Sequence, residues 1–557
     1  MKKTTLSVIF VLFSLLAKAQ SAYIPYDKDY YHLIGRYEIL QGKFTESFHT
    51  GFKPYTREAV AAFTDSLSLR LSGLSEADRF NIAYLANDNW EFSDMAENAS
   101  KKPFLKQLYT KTTDFYHVEK EGFYVRVNPM LNMNVGKEAG ETAIPFTNTR
   151  GIRFHGMIDD KIGFHSTLTS TQLILPTFGV DLVDQRATVP QEGVSKRVDY
   201  DMFNATGYDF FTATGHITFD VSKSINLQFG HDRNFIGEGL RSMLMSDFSS
   251  NYLFLKFNTN IWKLQYTNVF AEMTGGFIGS RGQFRDGLTT KKYVTLHRLG
   301  MNIRPNLNVG LFERVISERI NLAYFNPIIF YRYVEHNLGT PDNVALGIDF
   351  KWNFLNQFQA YGQFTFDEFV FSEVFGGRKW WGNKHAVQLG VKYIDALQIK
   401  NLDLQLEYNH ARPYLFAARD SVISYTNFNQ PIAHPAGANF REVIGSVRYQ
   451  PFKRLQVTAN AFYLRTGEDT ADTNWGGDLL KNRDTRERTY GNFIGQGVRT
   501  DLFYGQLQLS YQVRHNLFLE FNQIIRQKDS ALPERNSSVS VTSVGIRLNA
   551  ASRDLLF

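Results

Sequence analysis

Between residues 217 and 270 the chain runs twice through one unit: an alternating strand, a short polar turn, a second alternating strand and a long loop. Ile217, Phe219 and Val221 alternate with His216, Thr218 and Asp220. After Ser222-Lys223-Ser224 the alternation resumes as Ile225, Leu227 and Phe229 against Asn226, Gln228 and Gly230. Segment 231–251, rich in glycine and charge, leads to a second hairpin in which Leu253, Leu255 and Phe257 turn at Asn258-Thr259-Asn260 into Trp262, Leu264 and Tyr266. Successive side chains of a strand point to opposite faces, so each hairpin has one apolar face. In a sandwich that face meets a second sheet; in a closed barrel it meets lipid, and the polar face lines a wet lumen.

The pattern recurs at 122–135, 149–158, 161–171, 214–221, 224–231, 251–258, 261–271, 293–303 and 306–315. It continues at 343–353, 357–367, 385–394, 400–410, 441–449, 453–465, 500–512, 515–526 and 538–549. This predicts an all-β transmembrane barrel of about eighteen antiparallel strands, most of them long enough to cross a bilayer when tilted. The connections alternate between short, as at Asp159-Asp160, Pro305, Leu355-Asn356 and Pro451-Phe452, and long. Outer-membrane barrels keep short turns in the periplasm and long loops outside, and an even strand number returns both ends to the periplasm.

Facing is legible too. Leu402, Leu404, Leu406 and Tyr408 alternate with Asp403, Gln405, Glu407 and Asn409, which keeps both carboxylates off the lipid face. Trp262, Trp352, Tyr393, Tyr449 and Tyr511 share the apolar parity beside short turns, where an interfacial aromatic girdle belongs. An open sheet edge in lipid would cost several kcal/mol for each unpaired backbone group, so the strands must close into a ring.

Residues 1–19 read as a secretory signal: Lys2-Lys3, an apolar run from Leu6 to Leu16, and Ala17-Lys18-Ala19 before the cut. With no Cys in the chain there is neither a disulfide framework nor a lipidated cysteine. No later stretch approaches the roughly 18 consecutive apolar residues of a spanning helix. The expected address is the cell outer membrane. Residues 20–120 read as a small periplasmic helical domain, with Thr56 and Ser75 as N-caps of helices carrying Ala59, Val60, Phe63 and Leu67, then Ile82, Leu85 and Ala86. The barrel is expected over 121–557. A net charge of +6 from scattered Lys and Arg argues against nucleic-acid binding.

Chemistry, if present, belongs to the long loops. There is no G-x-S-x-G, H-E-x-x-H or P-loop, so neither an enzyme nor a cofactor or metal is expected. Asn234-Phe235-Ile236-Gly237-Glu238-Gly239-Leu240-Arg241-Ser242 is echoed by Asn492-Phe493-Ile494-Gly495-Gln496-Gly497-Val498-Arg499-Thr500. Two glycine turns of similar shape account for the echo; alternatively Arg241 and Arg499 present forked donors to an acidic glycan. Trp380 and Trp381 are either packed within the loop crown or offered to sugar rings. Segment 326–336 is too apolar for a free loop and is expected to fold into the lumen, with Arg332 and Glu335 pairing with Glu313 or Arg314. The candidate glycan-binding set is Arg233, Arg241, Arg332, Tyr333, Arg378, Trp380, Trp381 and Arg499.

Three stretches carry a family resemblance: GHDRNFIGEGLRSMLMSDFSSNYLFLKF, NPIIFYRYVEHNLGTPDNVALGID, and YDKDYYHLIGRYEIL with the helices after it. They resemble the Wzi-type capsule-assembly proteins, in particular the forms in gliding Bacteroidetes related to RemB. The resemblance implies an eighteen-stranded outer-membrane barrel with a periplasmic helical bundle, a lectin holding capsular polysaccharide at the cell surface. It implies a role in capsule attachment or gliding adhesion, with capsular or other surface polysaccharide and outer-membrane lipid as partners, and leaves the helical domain open to periplasmic or motility proteins. A porin-like channel and a structural subunit of a motility or secretion assembly are the alternatives.

Overall fold

The computed structural model describes residues 21–557 apart from 46–47, 102, 204, 278–288, 327, 329, 341, 369 and 554. The expected signal peptide lies outside the described residues. Eighteen antiparallel strands close into one barrel. They begin with β1 (Phe123–Glu138), β2 (Phe146–Ile158), β3 (Ile162–Ile174), β4 (Ala205–Ser222), β5 (Ile225–Asp232) and β6 (Tyr252–Ile261). Next come β7 (Leu264–Phe277), β8 (Thr289–Arg304), β9 (Leu307–Ser317), β10 (Asn343–Phe354), β11 (Phe358–Phe366) and β12 (His385–Tyr393). The last are β13 (Leu402–Ala411), β14 (Phe440–Phe452), β15 (Leu455–Glu468), β16 (Val498–Arg514), β17 (Leu517–Ser530) and β18 (Ser537–Leu548). The ring closes where β18 returns to β1, from Val541 opposite Glu138 to Leu548 opposite Leu131. Each of the eighteen alternating segments in the sequence falls on one of these strands.

The parity is as the alternation requires. On β13 Leu406 is 55% exposed outward, whereas Asp403 and Glu407 are buried in the lumen. Trp262, Trp352, Tyr449 and Tyr511 stand exposed on the outer wall at the short-turn end, and Phe358 stacks on Tyr393 beside them at 4.3 Å.

Three helices precede the barrel: α1 (Lys28–Gln41), α2 (Arg57–Arg70) and α3 (Glu76–Asp88). Asp27 caps α1 by accepting from the Asp29 and Tyr30 amides, and Gly42 ends it with φ +68°, a left-handed turn that glycine adopts without a Cβ penalty. Ser75 N-caps α3 as expected and forms a capping box with Asp78, while Thr56 holds the N-cap position of α2 without a side-chain bond. The helices pack around Tyr31, Ile34, Tyr37, Val60, Phe63 and Leu85 and cover the short-turn end of the barrel. There Arg36 pairs with Asp78, Asp395 and Asp403, Tyr84 donates to Asn516, and Asn81 and Gln450 exchange amide bonds. Each of these barrel partners sits on or next to a short turn.

The lumen is filled from both ends. From the short-turn end, Phe52 and Lys53 reach inward and pair antiparallel with Ile236 and Phe235 of loop 233–251, which descends from the opposite end. Loop 412–439 adds Leu415, Phe416, Ile423, Tyr425 and Ile432, and helix α4 (Thr177–Arg186) adds Phe178, to one continuous apolar core inside the barrel. The chain end joins them: after β18 it turns into the lumen, Leu556 is buried, and the Phe557 ring lies 5.8 Å from that of Phe178. The terminal aromatic is therefore a lumen plug residue and not part of the last strand.

One expectation is overturned. Segment 326–336 does not enter the lumen. Its helix, α5 (Tyr331–Leu338), lies on the outer wall against β9 and β10, with Val315 and Val344 beneath it. Phe312 and Ile316 of β9 face the lumen core, so Glu313 and Val315 between them face outward. An apolar segment is driven out of water, but lipid accepts it as readily as a protein interior does. The inward plug is instead loop 233–251.

Candidate functional site

Two groups of charged loop residues stand apart by burial. The first is internal. The Glu238 carboxylate lies 3.7 Å from Lys53, 3.4 Å from Lys351 and 3.7 Å from Lys392, and Glu38 also pairs with Lys351. Burial opposes the charge of Glu238, yet the three ammonium groups outweigh it and hold its pKa down at about 2. Desolvation dominates at Glu38 and raises its pKa. Next to this cluster Arg241 is buried: Nη2 donates to Glu442 at 2.9 Å and Nη1 to the Leu556 carbonyl at 2.7 Å. The Glu407 carboxylate accepts from the amides of Leu240 at 2.8 Å and Arg241 at 3.2 Å. These pairs lock loop 233–251 to the wall, because a buried charge that lost its partner would be costly. Arg241 has no face open to a ligand, and Arg233 is half-buried with Nη1 on the Asp247 carbonyl. The two echoed turns thus sit in different surroundings, one inside the lumen and one on the long-loop rim.

The second group is on that rim. Loop 367–384, between β11 and β12, zips onto loop 469–497, between β15 and β16. The Trp381 amide donates to the Thr489 carbonyl at 2.9 Å, and those of Gly491 and Asn492 donate to Arg378 and Lys379 at 3.0 Å each. Trp381 is consumed by this joint: it is 9% exposed, with the Arg486 guanidinium 4.4 Å from its ring, the Lys384 ammonium at 4.9 Å and Tyr414 edge-on at 6.1 Å. Trp380 stays partly open and lies across Gly382, where a Cβ would come within 2.3 Å of its ring. That glycine lets the indole lie flat on the backbone.

Around Trp380 the joined loops present a mixed basic and aromatic surface. Arg378, its side chain 57% exposed, pairs with Glu373 and holds its guanidinium 4.8 Å over the Tyr490 ring. Tyr490 and Phe493 are nearly half exposed, and Arg488 sits between the Trp475 ring at 5.1 Å and the Phe493 ring at 5.4 Å. Arg499 is exposed near the same rim and paired with Asp501 at 2.8 Å. Flat aromatic faces stack on the C–H faces of sugar rings, and guanidinium forks match carboxylate or phosphate substituents. Stacking on aromatics also pre-orients an arginine, so less freedom is lost when it binds.

Of the sequence candidates, the structure brings together Arg378, Trp380 and Trp381, with Arg499 at the edge. Arg241 and Arg233 belong to the internal plug, and Arg332 and Tyr333 lie on the outer wall. Tyr490, Phe493 and Arg488 were missed. Arg488 and Tyr490 stood in the run Arg486-Glu487-Arg488-Thr489-Tyr490, which has no regular period, and Phe493 stood in the echoed turn, where Arg499 drew the reading. Among the described residues no group of three or more His, Asp or Glu side chains is arranged to hold a metal.

No family model and no curated protein sequence matches the chain. Among solved structures it is similar to Wzi of Escherichia coli, an outer-membrane protein involved in group 1 capsule assembly and a carbohydrate-binding β-barrel. The alignment covers 96% of this chain and 100% of Wzi at 12% identity, with a TM-score of 0.56. OccAB4 of Acinetobacter baumannii (8% identity, 76% of this chain and 97% of that one) and OprD of Pseudomonas aeruginosa (10%, 76% and 95%) follow with TM-scores of 0.40 and 0.41. At 12% identity the likeness to Wzi is one of fold: a closed antiparallel β-barrel of eighteen strands.

Proposed function

We propose that this barrel binds an acidic surface polysaccharide on the rim formed by loops 367–384 and 469–497, and so takes part in attaching or assembling a capsule-like coat. The observation that carries the reading is the Arg378, Trp380 and Tyr490 cluster, in which guanidinium and ring faces stand exposed on a joint of two loops. Carbohydrate binding by Wzi, a solved barrel of similar fold, supports it. The short turns and the helical domain face the periplasm and the rim faces the outside, following the usual sidedness of such barrels. No catalysis is involved: the rim offers flat stacking faces and forked donors. Repeating glycan units would be held by many weak contacts, whose combined avidity exceeds that of any one.

A channel is the weaker reading, because the lumen carries a continuous apolar core and buried ion pairs where a porin has water. The test is calorimetric titration of the detergent-purified protein with polysaccharide extracted from its own organism. Combined Arg378→Ala and Trp380→Ala should weaken saturable binding at least about tenfold, a loss of about 1.4 kcal/mol. Equal affinity of the variant, with its barrel intact, would remove the rim from the account.

A further inference from the structure

On the outer wall near the long-loop end, four polar side chains of three neighbouring strands meet where lipid is expected. His297 of β8 lies opposite Glu313 of β9 and Asn268 of β7 in the strand register, with Tyr266 of β7 beside them. His297 Nε2 is 3.2 Å from the Glu313 carboxylate, and Tyr266 and His297 Nδ1 are 3.0 Å apart. The register also fixes their depth. The girdle residue Trp352 pairs with Leu307, and Glu313 is six residues farther along β9. At about 3.3 Å per residue and a tilt of about 40°, that is about 15 Å above the girdle, inside an apolar band about 25 Å tall. A carboxylate there needs cover.

The described residues between β9 and β10 supply it. The amides of Tyr331 and Arg332, the first turn of α5, each donate to Glu313 at 2.7 Å. The buried Tyr331 ring stacks on His297 at 4.3 Å, and Phe325 lies flat on the outward-facing Phe270 at 4.7 Å. With its inner face spent on the wall, the segment turns a second apolar face outward: Leu322 is 80% exposed, Ile328 83%, Phe330 69% and Tyr333 59%. That face is continuous with the barrel's own outward surface at Leu299, Leu311 and Ile348. So large an apolar patch outside the strands would be expensive in water.

We infer that segment 320–338 is a lipid-inserted collar, an amphipathic element pinned to the barrel by Glu313 and His297 whose outer side chains lie among the acyl chains of the outer leaflet. This explains both halves of the arrangement. The wall needs its polar patch to fix the α5 backbone, and the collar needs acyl chains for Leu322, Ile328 and Phe330. Arg319 precedes the collar and is exposed, and Arg332 within it pairs with Glu335 at 3.0 Å; side chains of this length carry their charge toward the interface while their stems stay among apolar groups.

The chain has no Cys, so single-cysteine labels report one position each. Full-length Ile328→Cys and, independently, Phe330→Cys would carry an environment-sensitive nitrobenzoxadiazole label in phosphatidylcholine vesicles, with acyl-chain spin-labelled phosphatidylcholine and aqueous iodide as the two quenchers. Leu311→Cys on the wall is the lipid reference and Arg419→Cys, whose side chain is 66% exposed on loop 412–439, is the water reference. The collar predicts that labels at 328 and 330 follow Leu311, quenched severalfold more by the spin-labelled chains than by iodide. Labels that follow Arg419 would overturn it. So would labels shielded from both quenchers, which would mean that a protein surface, such as a second copy, covers this face.

Discussion

Lys53 and Glu238 reach each other in the middle of the barrel from opposite ends of the molecule. Lys53 belongs to the segment after α1 and donates to the Gly237 carbonyl at 2.6 Å, with its ammonium 3.7 Å from the Glu238 carboxylate. A chain segment entering past the short turns and a loop descending from the long-loop side thus form one plug, joined by backbone pairing at Phe52–Ile236 and by buried charge. The two segments meet as a plug inside the lumen.

The charge at this junction sets a pH dependence. Glu238 has its folded pKa lowered from 4.5 to about 2 by the three lysines against the cost of burial. Its contribution to stability is therefore complete above about pH 4.5 and is lost as pH falls toward 2. Thermal unfolding of the wild type and Glu238→Gln should show the largest advantage of the wild type near neutrality, shrinking across that acid window. A constant difference from pH 7 to pH 2 would show that the carboxylate is not charged in the fold.

Arg241 is held by Glu442 and by the Leu556 carbonyl, with both carboxylate and guanidinium buried. Arg241→Ala should destabilise the barrel by about 3–5 kcal/mol, since Glu442 keeps its burial and loses a cation. Arg499→Ala, on the exposed rim, should change stability by less than about 1 kcal/mol. Denaturant unfolding of the two variants separates them, and equal small effects would return Arg241 to the pool of ligand candidates.

Facing along β13 makes a paired expectation. Leu406→Arg places a charge in lipid at a cost of about 2–4 kcal/mol and should lower folding yield into vesicles. Gln405→Glu turns to the lumen opposite Lys392 and should fold as the wild type does. Similar yields for both would refute the assignment of faces.

Binding on the rim should be salt-sensitive. Screening lengths fall from about 10 Å at 0.1 M to about 3 Å at 1 M, so the share contributed by Arg378 and its neighbours should fade with added salt while stacking on Trp380 persists. Titration of the same polysaccharide at the two ionic strengths, with Arg378→Ala and Trp380→Ala separately, checks this. A Trp380→Ala variant that lost only the salt-sensitive share would contradict it.

The barrel was legible in the sequence because lipid disfavours polar side chains at uncovered outward positions, and Leu402, Leu404 and Leu406 follow that rule visibly. The plug was not, because loop 233–251 is polar enough to pass for a water-exposed loop, and its partners Lys351 and Lys392 come from distant strands. Segment 326–336 failed for the opposite reason: apolar composition says that a chain avoids water but not whether it hides in a lumen or in lipid. Trp381 was half legible, since solvent exposure of two adjacent tryptophans is costly, but the Thr489 carbonyl that fixes this joint leaves no periodic trace. Helix α1 was passed over as an element, although Asp27 before Leu33, Ile34, Tyr37 and Ile39 is a readable N-cap and apolar stripe.

The sealed lumen is tested most directly by conductance in planar bilayers. Intact protein should insert without open-channel steps, removal of residues 233–250 should produce them, and removal of 326–336 should not, because that segment lies outside the wall. Large, stable open steps from the intact protein would contradict the plugged barrel and restore the channel reading.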